Sequence, residues 1–164
     1  MASEKAILLL GSNRGDRRQL LKEAVHLLGV RAGVVTALSS LYETEPWGFE
    51  DEIPFLNLAV ELVTELSPSV LLQVTQGIER EMGRERGHEQ YAARTLDIDI
   101  LFFGSRVIAT SVLQVPHPRM AERRFVLEPL AEIAGEWVHP VTGLTVGEML
   151  ERCRDGKRVE KLKS

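Results

Sequence analysis

The sequence predicts an α+β fold in which a ferredoxin-like antiparallel sheet packs against helices on one face. Three observations predict it: apolar residues alternate at strand spacing, apolar residues recur at helical spacing, and the elements follow the order strand, helix, strand, strand, helix, strand. The chain has 164 residues, of which 44% are hydrophobic and 27% are charged. This is the size and composition of one globular domain, so we expect residues 1–164 to form a single domain.

The first strand and the first helix follow from the pattern near the N-terminus. Residues 5–10 are predicted to form a buried strand, because the apolar run from Ala6 to Leu10 is continuous, and the turn-forming residues 11–16 follow it. Leucine, valine and alanine then recur at helical spacing through residues 20–28, while charged side chains largely fill the opposite face. Gly29 and Gly33 predict the end of this helix.

The next two strands enclose a loop. Residues 34–42 have strand character, and residues 43–54 form a loop that contains two prolines and a glycine. Residues 55–64 alternate, so that leucines and a valine share one face while Phe55 and Asn57 lie on the other. An aromatic ring beside an amide suits a flat polar heterocycle, although an amide that bonds only to the backbone or a loop would give the same pattern.

The later elements are marked by their ends. Ser67 and Pro68 predict the start of a second helix, whose apolar stripe continues to Gly83. A further strand follows the basic run described below. Residues 145–148 have the spacing of a capping box before a short helix. Residues 154–164 are charged, and we expect them to form a frayed, flexible tail.

Two carboxylates in this further strand are the most informative feature of the chain. Asp97 and Asp99 alternate with Leu96, Ile98 and Ile100, so in an extended strand the two carboxylates share one face with Cα atoms about 6.5 to 7 Å apart. Such a pair suits divalent cations, and two-metal phosphoryl-transfer sites need a shared carboxylate cluster. A solvated pair on the wet face of the strand is the alternative for an isolated motif of this kind.

A basic run directly precedes the acidic pair. Residues 83–94 include Arg84, Arg86 and Arg94, and arginine forks suit phosphate oxygens. Taken alone, this run would be interpreted as a solvated loop. Because it leads directly into two aspartates that could bind metal ions, it indicates a site for a Mg-nucleotide. We expect the run to act there as a mobile lid. Arg94 must lie in a turn to join that site, because strand parity would otherwise direct its side chain to the opposite face. His117, between two prolines, is a further candidate phosphate ligand.

The composition excludes several classes of protein. A net charge of -4 argues against a general nucleic-acid binder. Cys153 is the only cysteine, so an internal disulfide or a cysteine-based zinc site is excluded, and we expect it to pack in the interior. The apolar run near the N-terminus is too short for a signal peptide or a membrane span, so a cytoplasmic location is the default. We expect no nucleic acid, membrane or obligatory protein partner.

Six ordered motifs resemble those of a known family, 6-hydroxymethyl-7,8-dihydropterin pyrophosphokinase of folate biosynthesis, over most of the chain from Ala6 to about Gly143. They are Leu10-Gly11-Ser12-Asn13, Tyr42-Glu43-Thr44-Glu45-Pro46-Trp47-Gly48, Phe55-Leu56-Asn57, Gly83-Arg84-Glu85-Arg86, Arg94-Thr95-Leu96-Asp97-Ile98-Asp99-Ile100, and Val115-Pro116-His117 followed by Arg123 and Phe125. Departures lie in the basic loop, where familiar members carry more basic residues and a Trp-Gly-Pro before the last arginine.

The resemblance implies transfer of the ATP β,γ-pyrophosphoryl group to the hydroxymethyl oxygen of the pterin, with release of AMP. It implies two Mg²⁺ ions held by Asp97 and Asp99, with Arg84 and Arg94 also catalytic, and no evident general base. The ATP-binding residues would be Glu79, Arg84, Arg86, Arg94, Ile100, His117 and Arg123. The pterin-binding residues would be Thr44, Glu45, Trp47, Phe55, Asn57 and Phe125, with the two phenylalanines on either side of the ring.

Two other readings remain. A polymerase-like nucleotidyl transferase also uses a pair of aspartates in a ferredoxin-like sheet, but the chain lacks a basic nucleic-acid track. A non-catalytic binding module of the same fold is the other, and its RNA-binding versions expose aromatics within a basic motif that is absent here. Release of AMP from ATP separates all three, because a binding module forms none and a nucleotidyl transferase releases pyrophosphate.

Overall fold

The structure, a computed structural model, describes residues 3–13, 15–44, 54–86 and 96–162, without the side chains of 84–86. Its strands are β1 (Glu4–Ser12), β2 (Val34–Leu38), β3 (Tyr42–Thr44), β4 (Phe55–Thr64), β5 (Asp97–Phe103), β6 (Ile108–Ala109), β7 (Gln114–Val115) and β8 (Val159–Lys161). Its helices are α1 (Arg17–Arg31), α2 (Pro68–Arg86), α3 (Arg124–Ala134) and α4 (Val146–Arg152), with a 3-10 turn at Met120–Glu122.

The main sheet is antiparallel throughout, with strand order β5-β1-β4-β3-β8 and with β2 also paired to β4. Strands β6 and β7 form a small separate hairpin. This arrangement confirms the α+β, ferredoxin-like prediction. None of the helices in the described ranges is long and apolar enough to cross a membrane.

Helices cover both faces of the sheet. On one face, alternate residues of β1 and β4, such as Leu8 and Leu58, pack against α1 and α2. On the other face, Ile7 and Ala59 pack against α3 and α4, and Cys153 borders this second core as expected. The predicted alternation of β4 is therefore confirmed, whereas the expectation of helices on one face was incomplete because α3 was not predicted.

Several boundaries differ from the prediction for local reasons. Helix α1 begins at the Asp16 cap, whose carboxylate accepts a hydrogen bond from Gln19 N at 3.2 Å, and continues past Gly29 to Arg31. The predicted strand 34–42 is broken between β2 and β3. There the Ser39 hydroxyl accepts the Ala59 N–H at 2.8 Å, so a side chain replaces a backbone partner.

The C-terminal segment also differs. Residues Val159–Lys161, within the predicted flexible tail, form β8 and pair with β3 at the edge of the sheet. The prediction of a frayed tail is therefore wrong for these three residues. The capping box before α4 is confirmed, since Thr145 and Glu148 exchange side-chain and backbone hydrogen bonds.

Glu132 of α3 forms hydrogen bonds with the segment that connects β2 to β3 and with the start of β3. Its carboxylate accepts hydrogen bonds from the Tyr42 hydroxyl at 2.7 Å and from the Ser40 N–H and hydroxyl, each at 3.0 Å. Burial alone would raise the pKa of Glu132, but the hydrogen bonds from Tyr42 and Ser40 outweigh it and lower the pKa below its ordinary value. Burial, together with the neighbouring carboxylate of Glu132, raises the pKa of Tyr42, so Tyr42 remains a donor.

We expect Glu132→Gln to lower the free energy of unfolding by about 0.5 to 1 kcal/mol at neutral pH, because the partly exposed carboxylate is screened by solvent. Because the pKa of Glu132 is lower in the folded state, the ionised carboxylate stabilises the fold at pH values above the ordinary pKa of 4.5. This stabilisation is lost as the pH falls below that value and the carboxylate is protonated. The difference in free energy of unfolding between the wild type and Glu132→Gln should therefore shrink below about pH 4.5. Urea unfolding from pH 3 to pH 8 measures it, with exposed Glu136→Gln as the matched control. A difference that does not change with pH would contradict this account.

Candidate active site

The register of the sheet brings the candidate residues to one face. Gly11 of β1 lies opposite Asp97 of β5 on one side and opposite Asn57 of β4 on the other. Paired residues in an antiparallel sheet project to the same face, so the carboxylate and the amide face the same space with a glycine between them. Asp99 lies opposite Leu9, one step along the same face.

A cavity of about 240 Å³ opens on this face. The predicted residues that line it are Thr44, Phe55, Asn57, Asp97, Asp99, His117, Arg123 and Phe125. The lining residues that were not predicted as site residues are Leu9, Gly11, Leu101, Val126 and Lys157. One concave site thus combines apolar walls, an amide, a hydroxyl group, two carboxylates and two cationic side chains, and small-molecule sites commonly combine apolar walls with a few polar groups in this way.

One end of the cavity presents polar groups that lack protein partners. Asn57 is 3% exposed, and neither its Nδ2 nor the buried Thr44 Oγ1 has a hydrogen-bond partner within the described part of the chain. A buried polar group without a partner is costly, and such groups are expected where a ligand completes the hydrogen bonds. Phe55 is 37% exposed and Phe125 is half-buried, so both rings have area left to contact a flat ligand.

Gly11 makes room for the Asn57 side chain. A Cβ added at Gly11 would lie 2.5 Å from Asn57 Oδ1, which is closer than such contacts occur. We expect Gly11→Ala to displace the amide and to weaken binding of a ligand at this end about fivefold. Calorimetry with 6-hydroxymethylpterin, the kind of ligand that the motif resemblance implies, measures this. Gly29→Ala is the control because nothing lies within 4 Å of its added Cβ. Unchanged affinity in the Gly11 variant would show that the amide does not contact the ligand.

The carboxylate end fits Mg²⁺. Asp97 is half-buried and Asp99 is exposed, and both line the cavity. In the described ranges no group of three or more His, Cys, Asp or Glu residues is arranged to hold a metal ion by itself. Mg²⁺ is commonly bound by one or two carboxylates together with water and substrate phosphates, so a pair of aspartates suits this ion when a nucleotide is present.

His117 and Arg123 add donors beside the carboxylates. The backbone N–H of His117 donates to Leu101 O of β5 at 3.0 Å. The ring Nδ1 of His117 accepts a hydrogen bond from the backbone N–H of Arg119 at 3.3 Å. Burial lowers the pKa of His117; Asp99 opposes this effect, while Arg123 and Arg119 reinforce it. The ring is therefore neutral with its proton on Nε2, which makes Nε2 a donor. The Arg123 guanidinium lies 5.8 Å from the centre of the Phe125 ring.

Two predicted ATP-binding residues lie away from this lining. Glu79 accepts the Ile98 N–H at 2.7 Å, so it ties α2 to the strand that carries both aspartates. Ile100 is 5% exposed and packs in the core on the opposite face of the sheet. The structure thus gives Glu79 a positioning contact, and it shows the Ile100 side chain in the core rather than in the cavity.

Five predicted site residues cannot be compared with the structure. The positions or side chains that lie outside the described residues are Glu45, Trp47, Arg84, Arg86 and Arg94. Arg17, which was not predicted as a site residue, bonds to one residue before and one residue after positions 45–53. Its Nη1 donates to Glu43 Oε2 at 3.0 Å and to Pro54 O at 2.7 Å. A single arginine 26 residues before its partner gives no sequence signal of this role.

Comparisons with known proteins agree with the family resemblance of the sequence motifs. The family model described as 7,8-dihydro-6-hydroxymethylpterin-pyrophosphokinase (HPPK) matches residues 7–135. The chain is 49% identical over 160 residues to 2-amino-4-hydroxy-6-hydroxymethyldihydropteridine pyrophosphokinase of Bacillus subtilis, a match that covers 97% of this chain and 92% of the relative. It is 47% identical over 136 residues to the protein of the same name from Porphyromonas gingivalis, covering 81% and 92% of the two chains.

A solved structure shares the fold. The crystal structure of Plasmodium falciparum HPPK-DHPS with pterin and p-hydroxybenzoate superposes with a TM-score of 0.73 at 21% identity. The match covers 92% of this chain but 43% of that chain, so this chain spans less than half of that longer protein.

Proposed function

Because the chain belongs to the 7,8-dihydro-6-hydroxymethylpterin-pyrophosphokinase family, we propose that the cavity on the sheet is its active site. The chain is an ATP-dependent pyrophosphokinase of folate biosynthesis, which transfers pyrophosphate from ATP to 6-hydroxymethyl-7,8-dihydropterin and forms AMP. The observation that carries the proposal is the pairing of Gly11 with both Asp97 and Asn57. This register places in one cavity a carboxylate and an amide whose Nδ2 has no hydrogen-bond partner among the described residues.

The polar end of the cavity would bind the pterin. Phe55 and Phe125 would stack on the two faces of the ring, while the Asn57 amide and the Thr44 hydroxyl bond to its polar edge. Both polar groups are buried and lack partners in the described part of the chain, so a ligand that completes their hydrogen bonds removes an existing penalty. These contacts would hold the ring in one orientation for the reaction.

The other end would bind the nucleotide phosphates. Arg123 and the Nε2–H of neutral His117 would donate hydrogen bonds to phosphate oxygens, and Asp97 and Asp99 would hold two Mg²⁺ ions. Bound Mg²⁺ would neutralise phosphate charge and help to align the reacting groups. The roles of Glu45, Trp47, Glu79, Arg84, Arg86, Arg94 and Ile100 remain predictions from the resemblance, as does a cytoplasmic location.

Catalysis would rest on positioning and electrostatics. Phosphoryl transfer needs little covalent chemistry from the protein, so holding the hydroxymethyl oxygen in line with the β-phosphate is the main task. Glu79 would contribute indirectly, because its hydrogen bond to Ile98 N fixes the residue between the two aspartates. Fixed donors and carboxylates need little rearrangement during the reaction, which lowers the barrier.

The experiment that tests the proposal is AMP formation from ATP by the purified protein. We expect AMP in an amount equal to the pterin diphosphate formed, with both products absent when either Mg²⁺ or 6-hydroxymethyl-7,8-dihydropterin is omitted. Release of inorganic pyrophosphate would favour a nucleotidyl transferase instead. Binding of both ligands without any product would favour a non-catalytic module.

A further inference from the structure

A second cavity, of about 540 Å³, adjoins the active-site cavity, and the two share Arg123, Phe125 and Lys157. The remaining residues that line it are Arg119, Glu122 and Asp155. Its wall therefore carries three cationic side chains and two carboxylates. The positive excess favours an anion, and it lies directly beside the proposed phosphate end of the active site.

The C-terminal segment is hydrogen-bonded to the start of α3. We call the hydrogen bonds of Arg124 with Cys153 and Asp155 the clasp. Asp155 Oδ2 accepts the Arg124 N–H at 3.0 Å, and Asp155 O accepts Arg124 Nε at 2.8 Å. Cys153 O accepts Arg124 Nη2 at 3.2 Å. The other carboxylate oxygen of Asp155 accepts the Lys157 N–H at 2.9 Å. These four hydrogen bonds hold the backbone of Lys157 beside the first turn of α3, where Phe125 lies.

The Asp155 carboxylate accepts hydrogen bonds from two backbone N–H groups and also interacts with the charges of Arg124 and Lys157. Burial would raise the pKa of Asp155, but the hydrogen bonds from the Arg124 and Lys157 N–H groups lower it below its ordinary value. Asp155 therefore stays ionised at neutral pH, and each of its two oxygens accepts a main-chain N–H. Glu122, the other carboxylate of the cavity, is exposed, so solvent screens its charge.

The chemistry of lysine favours a phosphate as the group that it contacts. A lysine ammonium is a compact charge with three donors, and it binds phosphate oxygens as a point charge. The pterin is uncharged, and its polar edge is proposed to meet Asn57 and Thr44. Lys157 lines both cavities together with Arg123, which is proposed to bind phosphate, and with Phe125, which is proposed to stack on the pterin.

We propose that Lys157 is a further substrate-binding residue, which contacts a phosphate group of the bound nucleotide or of the pterin diphosphate product. This inference rests on the proposed function, because it assumes that nucleotide phosphates occupy the aspartate end of the cavity. It adds a residue from the C-terminal segment to a site otherwise built from the sheet, the corner after β7 and α3.

Three variants test the proposal. Lys157→Met removes the charge but keeps much of the side-chain length, Lys157→Arg keeps the charge, and exposed Lys22→Met on α1 is the matched control for net charge. Calorimetry measures the affinity for α,β-methylene-ATP with Mg²⁺, for the pterin diphosphate product and for 6-hydroxymethylpterin. Lys157→Met should weaken at least one of the two phosphate ligands about tenfold, with pterin affinity unchanged.

The pattern of loss identifies the source of the phosphate. A loss for the ATP analogue alone assigns Lys157 to the nucleotide, a loss for the product alone assigns it to the transferred diphosphate, and a loss for both assigns it to a phosphate position that the two share. Lys157→Arg should recover most of the affinity, and Lys22→Met should match the wild type.

Three results would overturn the proposal: unchanged affinity for both phosphate ligands in Lys157→Met, an equal loss of pterin affinity, or no recovery in Lys157→Arg. These results differ from failure of the proposed function. If the wild-type protein forms no AMP, the proposed function is wrong. If the wild type forms AMP and Lys157→Met binds both phosphate ligands normally, the role of Lys157 alone is wrong.

Discussion

Replacing Asp97 or Asp99 with alanine is expected to lower turnover about a thousandfold or more. The reason is that metal ions bound to the phosphate oxygens stabilise the charge of the transition state by several kcal/mol. The fold should remain intact. Both carboxylates lie on one face of β5 and line the cavity rather than the core, so neither side chain carries packing. AMP release at saturating ATP and pterin measures turnover, and circular dichroism with urea unfolding measures stability.

The control for these variants is Glu65→Ala, which removes an exposed carboxylate just after the far end of β4. It should leave turnover and stability unchanged. Near-normal turnover in both aspartate variants would remove the assignment of Mg²⁺ to this pair.

Replacing Asn57 with alanine is expected to weaken pterin binding by about 1 to 3 kcal/mol, because polar groups of the bound pterin would be left buried without partners. Affinity for the Mg-bound ATP analogue should change little, since Asn57 lies at the other end of the cavity from the proposed phosphate contacts. Calorimetry with each ligand separately measures the two affinities, and urea unfolding shows whether the variant is folded.

Two variants sharpen this test. Thr44→Val removes one hydroxyl without loss of shape, so it should weaken pterin binding less than Asn57→Ala does. Asn57→Asp keeps the shape but replaces the Nδ2 donor with an acceptor, so it should be as damaging as alanine if Nδ2 donates to the ligand. Equal weakening of nucleotide and pterin by Asn57→Ala would indicate a folding defect and would contradict a pterin-specific contact.

The face of each strand was predictable because strand parity is local. Alternation in residues 55–64 separated Asn57 from the leucines that pack under α1, and alternation after Leu96 set both aspartates on one face. Neither segment alone predicts that Asn57 and the two aspartates lie on the same face of one sheet. It depends on the register that pairs Gly11 with both Asp97 and Asn57.

Helix α3 was not predicted, and its sequence explains why. It contains Pro129, which normally argues against a helix interior, and Arg123 provides no side-chain cap at its start. Packing decides in favour of the helix, because Val126, Leu127 and Leu130 are buried against the sheet. Tertiary burial thus overrides a weak local signal.

Lys157 was also missed, for a different reason. Its surroundings in the sequence are charged and resemble a solvated tail, and the strand that follows it has three residues. Its position depends on the clasp between Asp155 and Arg124, which are 31 residues apart. Contacts of this kind between charged residues have no periodicity, so pattern analysis does not reveal them.

The most direct test of the account is a crystal structure with α,β-methylene-ATP, Mg²⁺ and 6-hydroxymethylpterin bound together. The account predicts the pterin ring between Phe55 and Phe125, with its polar edge bonded to the Asn57 amide, and Mg²⁺ ions ligated by Asp97 and Asp99 and by phosphate oxygens. A pterin bound outside this cavity, or Mg²⁺ bound without either aspartate, would contradict it.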